Sequence, residues 1–433
     1  MQPLSQVLPP SATTTPEGHL SIGGCDVVAL AAEFGTPLVI YDAALLRDTM
    51  RRYVQALRAH DPRAEIVYAS KAFWAQALLR MAHEEDLRMD VASGGELFMA
   101  LHAGFPAEKV VMHGNAKDAR EIGEALDAMV GLIVVDSLDE IALLDQLAGE
   151  RGRTQDVLVR VTPGVKPSTH AYISTGQLDS KFGFSLEGGL AAQAVAACRA
   201  AANVNLVGLH CHIGSQIFEL GAYPAAAALL AAFVKEQGGH DLTVMDMGGG
   251  LGIAYTREDD PPSVEEFADT VMDAVHAEWD AAGLPRPRVL VEPGRSIVGR
   301  AGLTVYRVTG TKDIPGVRRY VAVDGGMSDL MRPMLYGATY EAILPDRPEA
   351  EATDTLRLVG KHCESGDVLI QEAELPPLAR DDLVCIPATG AYGVAMASNY
   401  NGVTRPAVVF VEDGRATVVV RRETYAELVA RDL

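Results

Sequence analysis

Eight short apolar or β-branched runs punctuate residues 65 to 295, and stretches of helical period separate them. The runs are Ile66 to Ser70, Arg88 to Ser93, Val110 to Gly114, Leu132 to Ser137, Val157 to Val161, Leu206 to Ile213, Thr243 to Gly248 and Val289 to Gly294. Helices are predicted over Trp74 to Glu85, Gly95 to Gly104, Ala119 to Met129, Leu138 to Glu150, Gly189 to Ala202, Ala222 to Gln237 and Val264 to Gly283. Strands that alternate with helices form parallel sheets, so a (β/α)8 barrel is expected, with a doubly wound open sheet as the alternative.

Beyond Arg295 the pattern turns to strands and turns. Strands are expected over Leu303 to Thr309, Arg319 to Val323, Thr355 to Gly360, Asp367 to Gln371 and Asp382 to Pro387, then a hairpin. That hairpin joins Ala407 to Val411 with Ala416 to Arg421 through Glu412-Asp413-Gly414-Arg415, whose Asp-Gly pair suits a tight turn. The expected division is a segment 1–40, a barrel 41–295, and a C-terminal β-sandwich or β-barrel domain 296–433. Leu38 to Tyr41 can join the β domain, carrying the N-terminal segment with it.

A chain of 433 residues is long enough for a large and a smaller core. Its 48% hydrophobic and 22% charged residues describe a globular composition, and no apolar run reaches the length of a membrane span. The first residues lack the basic and apolar parts of a secretory signal, so a cytoplasmic location is expected. Cys25, Cys198, Cys211, Cys363 and Cys385 are widely spaced without CxxC pairs, which argues for free thiols. A formal net charge of −21 repels polyphosphates and makes nucleic acid an unsuitable partner.

Catalysis in such a barrel sits at the carboxyl ends of the strands. Those ends present Ser70-Lys71, Ser93, His113-Gly114-Asn115, Asp136-Ser137, Arg160, His210 and His212 before Gly214-Ser215, Gly248-Gly249-Gly250, and Glu292-Pro293-Gly294-Arg295. Lys71 precedes Ala72-Phe73-Trp74, and a lysine in apolar surroundings loses its proton readily, as a Schiff-base amine must; taken alone it reads equally well as a solvated surface lysine. The glycine triplet, Ser215 and Arg295 together suit a phosphate. Glu292 at the end of an apolar strand needs a cationic partner, either a protonated ring nitrogen or Arg295 or Arg160. His210 and His212 share one strand face and offer either a flat imidazole for a cofactor ring or, with His113 and Asp136, a metal site. No metal is expected. In the β domain, Cys363-Glu364-Ser365-Gly366-Asp367 puts a thiol and a carboxylate in one loop, suited to proton donation and to receiving an ammonium; alone it reads as an ordinary turn.

Taken together, Tyr68-Ala69-Ser70-Lys71, Asp90-Val91-Ala92-Ser93-Gly94-Gly95-Glu96, His113-Gly114-Asn115, Lys181-Phe182-Gly183, the run His210 to Gln216, Gly248-Gly249-Gly250 and Glu292-Pro293-Gly294-Arg295 resemble the fold-type III decarboxylases that depend on pyridoxal 5′-phosphate. Met331-Arg332-Pro333 with Tyr336, the Cys363 to Asp367 loop, and Gly390-Ala391-Tyr392 through Asn401 resemble the diaminopimelate decarboxylase branch of that family. The resemblance covers nearly the whole chain. It implies decarboxylation of meso-2,6-diaminopimelate at its D-centre to L-lysine and CO2 by a homodimer with shared active sites. In that reading Lys71 forms the Schiff base, His212 stacks on the pyridine ring and Glu292 pairs with the ring nitrogen. Ser215, Gly248, Gly249, Gly250, Arg295 and Tyr392 surround the phosphate, with Arg295 and Tyr392 also near substrate. Arg332 and Tyr336 meet the distal carboxylate, Glu364 an ammonium, and Cys363 reprotonates the α-carbon.

Two departures touch the pocket rim. Gly337-Ala338-Thr339-Tyr340 stands where the family often has an aromatic residue and a histidine directly after Gly-Ala, and Gly402-Val403-Thr404 is less basic than expected. Rival readings are a related decarboxylase acting on ornithine, arginine or a carrier-bound amino acid, a non-catalytic pyridoxal-phosphate protein, and a metal-dependent barrel hydrolase. Ornithine and arginine offer no distal carboxylate to Arg332 and Tyr336. A non-catalytic protein would lack the C-terminal β domain and Cys363-Glu364.

Overall fold

The computed structural model describes residues 4–165 and 181–433. The chain forms two compact units: a barrel unit of residues 49–252 and 261–294, and a sheet unit made of the chain up to Asp48, residues 253–260 and residues 295–433.

In the barrel unit eight strands follow one another around a closed parallel sheet. They are Glu65–Ala69, Arg88–Val91, Val110–Met112, Leu132–Val135, Gln155–Thr162, Val204–His210, Val244–Asp246 and Arg288–Val291. The last pairs in parallel with the first, Val291 opposite Ile66. That pairing excludes the open doubly wound sheet. Strand interiors such as Ile66-Val67-Tyr68 and Val289-Leu290-Val291 are fully buried, because a parallel barrel strand is covered on one face by the barrel filling and on the other by helices.

The helices between the barrel strands lie where the helical period predicts; Ala43–His60, before the first strand, was not predicted, nor were the short helices Val27–Phe34, Arg295–Val298, Arg332–Tyr336 and Tyr425–Leu428 of the sheet unit. In Ala43–His60 the buried Leu46, Met50, Tyr53 and Leu57 recur every three or four residues, so the signal was in the sequence before the first barrel strand. Ser93 and Ser137, read above as strand ends, are helix N-caps: their hydroxyls accept from the backbone N–H of Glu96 and Glu140.

The sheet unit is built around Gly302–Ile314, a 13-residue strand. One part of it pairs antiparallel with Leu38–Asp42 and with Leu383–Pro387, and its far end pairs with Arg318–Val323. Leu38–Asp42 pairs in parallel with Ala407–Glu412, which makes the predicted hairpin with Arg415–Val420. Asp413 and Gly414 at its tip take φ of +50° and +74°, the left-handed pair that a two-residue turn requires. Leu38, Ile40, Leu303, Val305, Val321, Leu356 and Val409 belong to one buried core in this unit. No helix among the described residues is long and apolar enough to cross a membrane.

Candidate active site

The barrel unit gathers its polar strand ends into one cluster. Lys71 stands in a single 3-10 turn, Ser70–Ala72, directly after the first strand, and its side chain is exposed. Glu292, one residue past the last strand, is buried between two imidazoles: His113 Nε2 lies 2.8 Å from Oε1 and His210 Nε2 lies 3.3 Å from Oε2. These two histidines hold its pKa well below the carboxylate range although burial pushes the other way. Arg160 does not pair with it among the described residues. Arg160 Nε is 3.9 Å from Asp136, and its guanidinium lies over the Phe182 ring at 4.4 Å.

The two histidines are shifted in opposite directions. Burial depresses His210 to about 4, so it is neutral near pH 7. Burial also opposes charge on His113, but Asp90 and Glu292 together raise its pKa. A third acid, Asp246, ends the seventh strand with no exposure at all, and its Oδ1 accepts from Gly248 N at 2.9 Å. Burial first, then the Glu292 charge, push its pKa well above the usual range.

His212 is neutral as well, through burial and then the charge of Lys71, and its Nδ1 accepts from Gly249 N at 3.3 Å. The glycine triplet therefore runs against the His212 strand end. A Cβ on Gly249 would come within 2.1 Å of the Glu292 carbonyl oxygen, and one on Gly248 within 2.5 Å of the Cys211 carbonyl oxygen. Only glycine fits this close backbone approach. Ser215 is half-buried in the loop after the sixth strand. His113, His210, Asp246 and Glu292 offer ligand atoms within 4.8 Å of one another, a set that differs from the alternative of His210 and His212 with His113 and Asp136.

Two further lysines are near strand ends. Lys117 is buried and committed, ion-paired with Glu140 at 2.8 Å and donating to the Gly114 and Val134 carbonyls. Lys181 lies over the Phe182 ring at 4.8 Å. Lys71 is the lysine that combines an exposed side chain with a place beside Asp90 and His212.

The sheet unit holds a second cluster built from cations and aromatic rings. The buried Arg332 guanidinium lies 4.4 Å from the centre of the Tyr255 ring and donates from Nη1 to the Tyr340 hydroxyl. Arg295 donates to the Tyr255 hydroxyl and stands 4.9 Å from the Tyr392 ring. Tyr392 takes a φ of +61°, an uncommon conformation for an aromatic residue. Tyr340, read above as a departure, is thus the hydroxyl that Arg332 meets, while Tyr336 is half-buried at the end of the short helix Arg332–Tyr336. Tyr255 carried no signal beyond being an aromatic residue after a glycine-rich stretch.

Cys363 and Glu364 are exposed on a loop that is firmly closed beneath them. Buried Asp367 accepts from Met327 N at 2.7 Å, His362 N at 2.9 Å and His362 Nδ1 at 2.8 Å. Cys363 N donates to Asn401 Oδ1 at 2.8 Å. A Cβ on Gly360 would meet the Asp367 carboxylate at 2.1 Å, so this clasp also demands a glycine.

The barrel cluster fits a pyridoxal group. An anionic, buried Glu292 with Oε1 lacking an aligned donor suits a ring N–H, the uncharged His212 imidazole suits a ring face, and the glycine loop leaves backbone room for an anion.

Residues 44–299 match the family model for the pyridoxal-binding domain of pyridoxal-dependent decarboxylases. Diaminopimelate decarboxylase of Bacillus subtilis is 47% identical over 96% of this chain and 95% of its own length. The enzyme of the same name from Mycobacterium tuberculosis is 44% identical over 99% of this chain and 98% of its own. Among solved structures, the diaminopimelate decarboxylase of M. jannaschii in complex with L-lysine superposes with a TM-score of 0.91 and 34% identity, covering 98% of each chain.

Proposed function

The chain belongs to the diaminopimelate decarboxylase family of pyridoxal-dependent decarboxylases, and from that membership we propose that it converts meso-2,6-diaminopimelate to L-lysine and CO2 by decarboxylation at the D-centre. One observation carries the substrate reading: Arg332 is a buried cation whose partners are two tyrosines, with no carboxylate paired to it among the described residues. A buried charge of this kind calls for an anion, and the distal carboxylate of diaminopimelate supplies one. Ornithine and arginine supply none.

When bound, pyridoxal 5′-phosphate provides a conjugated ring that accepts the electron pair left behind as CO2 departs. Lys71 contributes the amine that anchors it covalently. Glu292, kept anionic by His113 and His210, would favour a positive charge on the ring nitrogen, and neutral His212 would be suited to face the ring. Ser215 and Gly248 to Gly250, with Arg295 and Tyr392, receive the phosphate; Arg295 and Tyr392 also border the substrate. Arg332 and Tyr336 hold the distal carboxylate and Glu364 the ammonium. Once CO2 has left, the Cys363 thiol would deliver to the α-carbon the proton that forms the new C–H bond, and the thiolate would regain a proton from solvent.

The exposure of Cys363 and Glu364 on a loop clasped by Asp367 supports a homodimer in which each sheet unit serves the partner's barrel. Five free cysteines support a reducing, cytoplasmic location.

Borohydride reduction of the holoenzyme, followed by peptide mapping, tests the cofactor assignment. The cofactor should be fixed on the peptide containing Lys71, and Lys71→Ala should carry none and turn over nothing. Cofactor fixed on Lys117 or Lys181 would refute the assignment.

A further inference from the structure

Asp246 is a buried acid that the reaction above does not use. Its carboxyl group and that of Glu292 are both buried and belong to the cluster whose ligand atoms all fall within 4.8 Å of one another. The groups facing this pair include His113 and His210 on Glu292, neutral His212 against the glycine loop, Asp90 beside His113, Cys211 on the sixth strand end, and Arg160, which is drawn to Asp136. The His113 and His210 imidazoles are engaged by Glu292. Asp246 makes no ion pair of its own among the described residues, its Oδ1 takes a single backbone donor, Gly248 N, and its Oδ2 is buried without a donor. Two dry carboxylates this close repel strongly, and a proton shared between them turns that repulsion into a hydrogen bond.

We propose that Asp246 is a positioning residue that works as a neutral carboxylic acid, its O–H donating to Glu292 while its carbonyl oxygen accepts from Gly248 N. One side chain then ties the first glycine of the backbone cradle to the carboxylate that faces the ring nitrogen. The donated bond favours the anionic form of Glu292 and fixes its orientation, so Asp246 acts on the cofactor only through its neighbours. The direction in which burial and the Glu292 charge move its pKa agrees with a retained proton.

The effect on the cofactor rests on the reading of Glu292 given above; the protonation itself does not. Infrared difference spectra of the full-length holoenzyme at pH 7, wild type minus Asp246→Asn, should contain the carbonyl stretch of a protonated carboxylic acid. Absence of that band would overturn the proposal. Pyridoxal phosphate affinity gives the second test. Asp246→Ala, which removes both bonds, should weaken binding about tenfold or more, the loss expected for a bond to a charged group. Asp246→Asn keeps a donor and an acceptor and should recover affinity to within about threefold of wild type. An Asn variant as weak as the Ala variant would mean that a charge is required and would refute a neutral acid. Should borohydride fix no cofactor on Lys71, the cofactor reading fails by itself, while the infrared band still decides the state of Asp246. The band needs only the Asn variant, so misfolding of the Ala variant would not blunt the test.

Discussion

Arg332 lies 4.4 Å from the centre of the Tyr255 ring, and the ring stands at 78° to that of Tyr340, whose hydroxyl accepts from the same guanidinium. Aromatic faces and a hydroxyl solvate the cation in part, which raises its pKa against the cost of burial, yet they supply no counter-charge. The site is preorganised for an anion before one arrives.

Removing that cation should therefore act on substrate more than on cofactor. Arg332→Ala should raise KM for diaminopimelate about ten- to a hundredfold, from 1.5–3 kcal/mol for a charge-assisted bond, with little change in pyridoxal phosphate affinity. Tyr340→Phe keeps the ring and loses the acceptor, so its effect on KM should be smaller and in the same direction. Steady-state kinetics with a parallel cofactor titration measure both.

Sharing of sites between subunits is tested by mixing. Lys71 belongs to the barrel unit and Cys363 to the sheet unit, and each variant alone should be inactive. If Lys71→Ala and Cys363→Ala subunits exchange freely, half the dimers are mixed and one of their two sites is intact, giving about a quarter of wild-type activity. No recovery in subunits shown to exchange would place both residues in one chain's site.

Much of this architecture could be read from residue order. The barrel strands followed from apolar runs bounded by turn residues, and the hairpin from its Asp-Gly turn, because both depend on local chemistry. The lysine, the glycine triplet and Glu292 were legible for the same reason: each is an unusual residue at the end of an apolar run. What stayed hidden depends on long-range packing. Asp246 sits in a strand end like any other, and only its closeness to Glu292, beyond the end of a neighbouring strand, gives it meaning. Tyr255 and Tyr340 looked like isolated aromatics until the fold brought them around Arg332. The sequence offered Glu292 a ring nitrogen or an arginine, and it was His113 and His210 beside it that stayed hidden, since strand register decides which side chains share a barrel layer.

A stability prediction comes from Asp329 in the sheet unit, which accepts from the Tyr306 hydroxyl at 2.5 Å. Burial raises its pKa to about 6 from 3.8, so the folded state holds a proton that the unfolded chain has released. Stability from this group is therefore complete below about pH 4 and is lost as pH rises through about 6, by at most about 3 kcal/mol at 1.36 kcal/mol per pKa unit. Asp329→Asn should gain stability relative to wild type across that window, measured by urea unfolding at pH 4, 5, 6 and 7. A difference that does not change with pH would contradict a retained proton.

The central claim is tested most directly by turnover. Purified holoenzyme should release CO2 and L-lysine from meso-2,6-diaminopimelate in equal amounts, and should act far more slowly on ornithine, arginine and L-lysine at the same concentration. Preference for ornithine or arginine, or CO2 released without L-lysine, would contradict the account.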